Sequence, residues 1–219
     1  MTMREDLIAA KMAGKLHPAL SLLVESQAFI DDEAAREDYV AATIGGAFLE
    51  AETPAAMRED ALAEALNTVR GVPMEPAPRQ RAAKAAGQAL ADLRSVPDPI
   101  LDLAIEAAST RGWRKPMKGV ERLELMRDGD LSAELIRVKG GVGVPAHGHS
   151  GREYTLCLQG AFRQDGATYG RGDLVIADTD HVHTPHAEEG EDVLAFVVTE
   201  APLKYRGAFG LLQRIFKFR

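Results

Sequence analysis

The chain has 219 residues, a formal net charge of −7 and a calculated pI near 5.4, enough length for one large or two small domains and no overall basic field to hold nucleic-acid phosphates. A single cysteine rules out an internal disulfide, the opening MTMREDLIAAKMAGK has the wrong charge order for a secretory leader, and no apolar run approaches the ~20 residues that span a bilayer. A cytoplasmic protein with no direct nucleic-acid contact and no membrane span is expected, and any role in transcription would run through another protein.

Up to about residue 94 the chain is rich in Ala, Glu, Leu and Arg, and its apolar residues recur at helical spacing. Leu20, Leu23 and Val24 form one stripe; Val40, Ile44, Ala47 and Phe48 form another, with Asp31 or Asp32 as N-cap of the helix that carries it. Thr53 followed by Pro54, Ala55 and Ala56 reads as the start of a third helix. The stripes are expected to be bundle core. The stretch GVPMEPAPRQRAAKAAGQALADLRSVPDP reads as a Pro-rich tether with a helical middle, and Pro99 to Ser109 as a short helix ended by Arg111-Gly112.

From Trp113 onward the apolar period changes to two. VERLELMRDGDLSAELIRV holds two alternating runs joined across Arg127-Asp128-Gly129-Asp130, a hairpin signal, and further strands are predicted at Glu153 to Gln159, Asp173 to Ala177 and Val193 to Thr199. Helices first and strands later predict an α+β, two-domain chain: an N-terminal helical bundle over 1–94, a linker with a short helix over 95–112, and a C-terminal jelly-roll β-barrel over 113–219.

His147 and His149 are two residues apart, so both imidazoles leave the same face of an extended strand. Glu153 follows the turn Ser150-Gly151-Arg152, and of the three histidines in ADTDHVHTPHAEEG, His183 is the one expected to complete the set, with His181 and His186 at the rim. Three imidazoles and one carboxylate suit zinc first, with iron, manganese or nickel accepted by the same donors. Cys157 shares the face of Glu153 and reads as a small buried hydrophobe. No separate acid-base pair or substrate-binding arginine stands out near the motifs.

These residues carry a resemblance. Gly141-x5-His147-x-His149-x3-Glu153-x6-Gly160 resembles the first cupin motif at every fixed position, and Gly172-x5-Asp178-x-Asp180-x2-His183 resembles the second, with Asp at its usual Pro and Gly positions and Ala187 at its closing Asn. In cupins the corresponding residues bind the metal, which implies His147, His149, Glu153 and His183 as ligands. The segments AHGHSGREYTLCLQGAF, DGATYGRGDLVIAD and HTPHAEEG, together with MAGKLHPALSLLVESQAFIDDEAAREDYVAATIGGAFLE, are similar to the ChrR-type anti-sigma factors over nearly the whole chain.

That resemblance implies a helical sigma-binding domain and a metal-bearing barrel that registers an oxidative or chemical signal. The family's helical domain carries a zinc clip, His-x3-Cys-x2-Cys plus an earlier histidine. Here the motif positions hold Gln27, Asp31 and Ala34, and no histidine precedes His17. No zinc is therefore expected in the N-terminal domain, whose packing would fall to Leu23, Phe29, Val40, Ile44 and Phe48. Two other readings stay open: a metal-dependent cupin enzyme such as a dioxygenase, and a partner-binding helical module fused to a small-molecule-binding barrel. Nothing in the pattern specifies an oligomeric state.

Overall fold

The computed structural model describes residues 3–72, 93–179, 181–201 and 203–205. Among these residues five helices, α1 (Met3–Met12), α2 (Pro18–Ile30), α3 (Asp32–Ala51), α4 (Ala61–Gly71) and α5 (Asp98–Thr110), precede eleven antiparallel strands. The middle of the predicted tether lies outside the described residues. No described helix is long and apolar enough to cross a membrane.

The strands β1 (Arg114–Met117), β2 (Val120–Asp128), β3 (Leu131–Val138), β5 (Glu153–Gln159), β8 (Leu174–Ala177) and β10 (Val193–Thr199) form one sheet in the order β1-β2-β3-β10-β5-β8. A smaller sheet, β7 (Ala167–Gly170), β6 (Ala161–Gln164) and β9 (His186–Ala187), closes the barrel with the pair β4 (His147–His149) and β11 (Leu203–Tyr205). The β2–β3 hairpin turns at Gly129 (φ +57) with Asp128 opposite Leu131, as the hairpin signal predicts. A second tight hairpin puts both Asp165 (φ +53) and Gly166 (φ +82) at positive φ between Gln164 and Ala167, the backbone of a type I′ turn.

β10 is buried at all seven positions because both of its faces are covered. Leu194, Phe196 and Val198 look outward, as do Tyr154, Leu156 and Leu158 of β5, and all six join Leu20, Leu23 and Val24 of α2 and Ile100 and Ala104 of α5 in one apolar cluster. Helices α1, α2 and α5 thus roof the outer face of the sheet. The inner face supplies a second cluster, Val120, Val138, Cys157, Phe162, Ala187 and Val193.

The roof is pinned by polar contacts as well. His17 caps α2 by accepting the Ala19 N–H at 3.2 Å through Nδ1, and its Nε2 lies 3.2 Å from the Asp128 carboxylate on the β2–β3 hairpin. Asp31 is the N-cap of α3, accepting the Ala34 N–H at 2.7 Å, as its position predicts.

Two helical expectations need correcting. Residues 53–58 are not helical, and α4 begins only at Ala61. Pro54-Ala55-Ala56 offers a start signal but no apolar stripe, whereas Leu62, Leu66 and Val69 repeat at helical spacing beyond it. Of the residues expected to hold the helices together, only Leu23 is buried; Phe29, Val40, Ile44 and Phe48 are 55, 54, 54 and 72% exposed. The stripe on α3 is amphipathic as read, yet nothing among the described residues covers it.

Candidate metal centre

β4 is short because Ser150-Gly151-Arg152 carries the chain from the two-stranded sheet into β5. That step sets Glu153 at the first inward position of β5, facing His147 and His149. His183-Thr184-Pro185 follows a turn and predicts a strand across the barrel, but His183 lies outside any strand. It forms an isolated bridge with His147, each N–H donating to the other's carbonyl at 3.1 and 3.0 Å, and Pro185, which lacks an N–H, prevents the ladder from extending.

All four side chains are buried, and their ligand atoms lie within 4.8 Å of one another; this is the one such group of histidine, cysteine and carboxylate side chains among the described residues. His183 Nε2 lies 3.0 Å from His147 Nε2 and 3.2 Å from His149 Nε2, while Glu153 reaches His149 Nε2 at 3.3 Å and His183 Nε2 at 3.6 Å. Donors at the corners of a tetrahedron with metal–ligand bonds of ~2.0–2.1 Å stand ~3.3 Å apart, so the spacing fits a single transition-metal ion. The His147 Nδ1–H donates to the Pro145 carbonyl at 2.9 Å, which leaves Nε2 as a bare lone pair toward the centre. Nδ1 of His149 and of His183 finds no acceptor among the described residues, so the inner side, where the Nε2 atoms converge, must orient both rings.

Electrostatics favour the protonation state a cation needs. Burial lowers the pKa of His147, and it takes His183 down to about 4 despite the opposing pull of Glu153. Burial alone would raise Glu153, but its hydrogen bond to His149 and the electrostatic attraction of the three surrounding imidazoles, which share protons with it, outweigh that and keep its carboxyl below the ordinary value. Neutral imidazoles facing a carboxylate could hold a divalent ion.

The remaining candidates fall as follows. His181 and His186 are both exposed; His181 pairs with Asp165 at 2.7 Å. Cys157 is fully buried in the barrel, and burial above all pushes its thiol up to about 11, so it is no thiolate at neutral pH. Gly160, which closes the first motif, has φ +71, and a Cβ there would sit 2.6 Å from the Asp192 carbonyl oxygen, so only glycine fits.

At the positions of the family's zinc clip no ligand set exists. The Gln27 amide donates to the Gly172 carbonyl at 3.0 Å and accepts from Arg4 Nε at 3.1 Å, Asp31 is used as a cap, and Ala34 has no donor. Arg4 also pairs with Glu37 of α3, and Lys11 with Asp38 at 2.9 Å. A polar clip ties α1, α2 and α3 to one another and to the β7–β8 turn.

Sequence reading missed a charged pair inside the barrel: Arg122 of β2 donates through Nε to the Glu134 carboxylate of β3 at 2.8 Å. The signal was present in the alternation, since Arg122 and Glu134 occupy inward positions between Val120, Ser132 and Ile136, where an aliphatic residue is the rule. The gap between two strands in the sequence concealed the pairing.

A jelly roll whose two motifs bring three imidazoles and a carboxylate to one point defines the class: this is a cupin barrel, here roofed by helices. A family model described as the ChrR cupin-like domain matches residues 103–202. Over 201 residues the chain is 35% identical to the anti-sigma-E factor ChrR of Cereibacter sphaeroides, covering 92% of this chain and 90% of that protein. The crystal structure of Rhodobacter sphaeroides SigE in complex with the anti-sigma ChrR superposes with a TM-score of 0.68 at 30% identity, over 91% of this chain and 97% of that one. The chain belongs to the ChrR family of anti-sigma factors.

Proposed function

We propose that this chain holds a sigma factor inactive through the uncovered apolar faces of α3 and α4, and that its barrel binds one divalent transition metal through His147, His149, Glu153 and His183. Zinc is the first choice of metal, with iron, manganese or nickel accepted by the same donors. A cytoplasmic setting follows from a sigma-factor partner. Residues 1–94 carry the partner-binding function, 95–112 connect, and 113–219 carry the sensor.

The observation that carries the reading is the exposure of Tyr39, Ile44, Phe48, Leu49, Leu62 and Val69, between 54 and 75% each, on two neighbouring helices. So many large apolar side chains seldom stay bare on a monomer. Coupling needs a signal at the metal to change the relative stability of gripping and released states. Consecutive residues of β5 supply the link: Glu153 faces the metal cluster, and Tyr154, with Leu156 and Leu158, packs on the outer face under the helical roof. A ligand oxidised or displaced at the centre would shift β5 and, through it, the seat of α2.

The test is co-purification of the full chain with its sigma factor, repeated with Ile44→Asp/Phe48→Asp and with His147→Ala. The native chain should copurify and carry one metal; the first variant should lose the partner and keep the metal, and the second should lose the metal. A native chain that binds no sigma factor would sink the reading. The cavity beside the cluster is what a cupin oxygenase would also need, and oxygen uptake by the metal-loaded chain with small diketones or thiols separates the two.

A further inference from the structure

The barrel interior encloses a cavity of about 520 Å³ that borders His147 and Glu153, within the ~300–1,000 Å³ range of small-molecule sites. Its two ends differ in chemistry, and strand register shows how. Ser132, Thr199 and Glu153 lie side by side across β3, β10 and β5. Farther along the same strands Ile136 faces Ala195 and Val138 faces Val193, with Val120 and Phe162 closing that end. One end is therefore polar and adjoins the metal cluster, while the other is aliphatic and aromatic.

The Arg122–Glu134 pair lies between the two ends, Arg122 opposite Ile136 and Glu134 opposite Val197. The Glu134 side chain is 6% exposed and that of Arg122 22%. Arg122 is near enough to the cluster for its charge to count among the influences lowering His147, after burial. A buried ion pair is a poor way to stabilise a barrel, since well-packed hydrophobic residues of the same volume usually do as well or better. This pair lines the cavity, and Glu134 fixes the guanidinium by its Nε and Nη2 edge. A fixed positive charge in the cavity wall favours an anionic head over a neutral one.

Charge selects the sign of the guest. The less exposed charges of the lining, Arg122 against Glu134 and Glu153, are net negative by one, and a divalent ion at the cluster would turn them net positive by one; the exposed rim adds Arg114, Lys115 and Arg127 against Asp130, so positive charge prevails at the mouth. We propose that the barrel cavity is a binding site for a small monocarboxylate with an apolar body, its head beside Arg122 and the His/Glu cluster and its body against Ile136, Val138, Phe162 and Val193. This inference rests on the metal reading above and gives the chemical signal of that reading a ligand class.

The test is calorimetric titration of the full-length chain with benzoate and octanoate, against benzyl alcohol, octanol and acetate, with metal content measured by elemental analysis on every sample. Both carboxylates should bind the metal-loaded chain at least tenfold more tightly than the matching alcohols and than acetate, and chelation should abolish that preference. Arg122→Gln alone would strand Glu134 and risks misfolding. The double variant Arg122→Met/Glu134→Leu removes both charges together; it should keep its metal and its native melting transition and lose the carboxylate preference at least tenfold. Alcohols binding as well as carboxylates, or a double variant that binds like wild type, would overturn the proposal. A chain that carries one metal and takes no carboxylate overturns it and leaves the metal reading standing, whereas a chain that takes up no metal overturns both.

Discussion

The inner face of β10 and the exposed face of α3 are equally apolar in sequence, and they have opposite fates. Val193, Ala195 and Val197 are buried inside a closed barrel, while Val40, Ile44 and Phe48 stand in solvent. A strand in a closed sheet meets its cover within its own domain. An amphipathic helix records only that something must cover it, and for α3 nothing among the described residues does; the proposed sigma-factor grip would supply that cover. The comparison separates residues that stabilise the chain from residues that recognise a partner.

The largest expected effect comes from the covered side. Phe196 is fully buried between sheet and roof, and Phe196→Ala should cost about 3–5 kcal/mol in denaturant unfolding. If the loss is under about 1 kcal/mol, the roof does not pack on the sheet as described. Ile44→Asp/Phe48→Asp should do the reverse, weakening partner binding by about 2 kcal/mol or more while moving stability by no more than about 0.5 kcal/mol. A fall in melting temperature matching that of Phe196→Ala would place the stripe in a core after all.

Acid should act on the covered side only. His147 and His183 have folded-state pKa values below their unfolded ones, His183 at about 4. Between the ordinary histidine value of ~6.5 and about 4 the unfolded chain binds more protons, so stability is full above that window and falls as pH drops through it. Metal release from the folded chain should come at the acid edge of that window, near pH 4, because protonated imidazoles do not ligate. Metal lost in full at pH 6 from the folded chain would contradict it. Gln27→Leu, which strands the buried Gly172 carbonyl, should cost about 1–3 kcal/mol. It should also loosen the helices from the barrel, seen as faster hydrogen exchange in α2 with the metal retained. Smallest of all, Cys157 should resist alkylation at pH 7.5 in the native chain and react on unfolding, as a fully buried thiol with a pKa of about 11 requires.

Much of the barrel was legible in the sequence. β5 and β10 begin and end where alternation puts them, and the four clustered residues are those the motif spacing selects. The reason is local: a period of two, a hairpin turn and a His-x-His pair each announce themselves within a few residues. Position 183 was legible as a member of the cluster but not as an isolated bridge, since only the prolines nearby hint that no ladder can form there. The Arg122–Glu134 pair and the Gln27–Gly172 bond were not legible, because each joins segments that meet only once the sheet has formed.

The amino-acid order by itself determined the switch from helical to strand period, the hairpins, and which side chains could gather around a cation. Tertiary structure alone decided which apolar stripes are core. α2 and α5 found the outer face of the sheet, and the large apolar side chains of α3 and α4 found no cover among the described residues. Periodicity encodes the need for burial, but what meets that need depends on the long-range packing of distant surfaces, which no local pattern records.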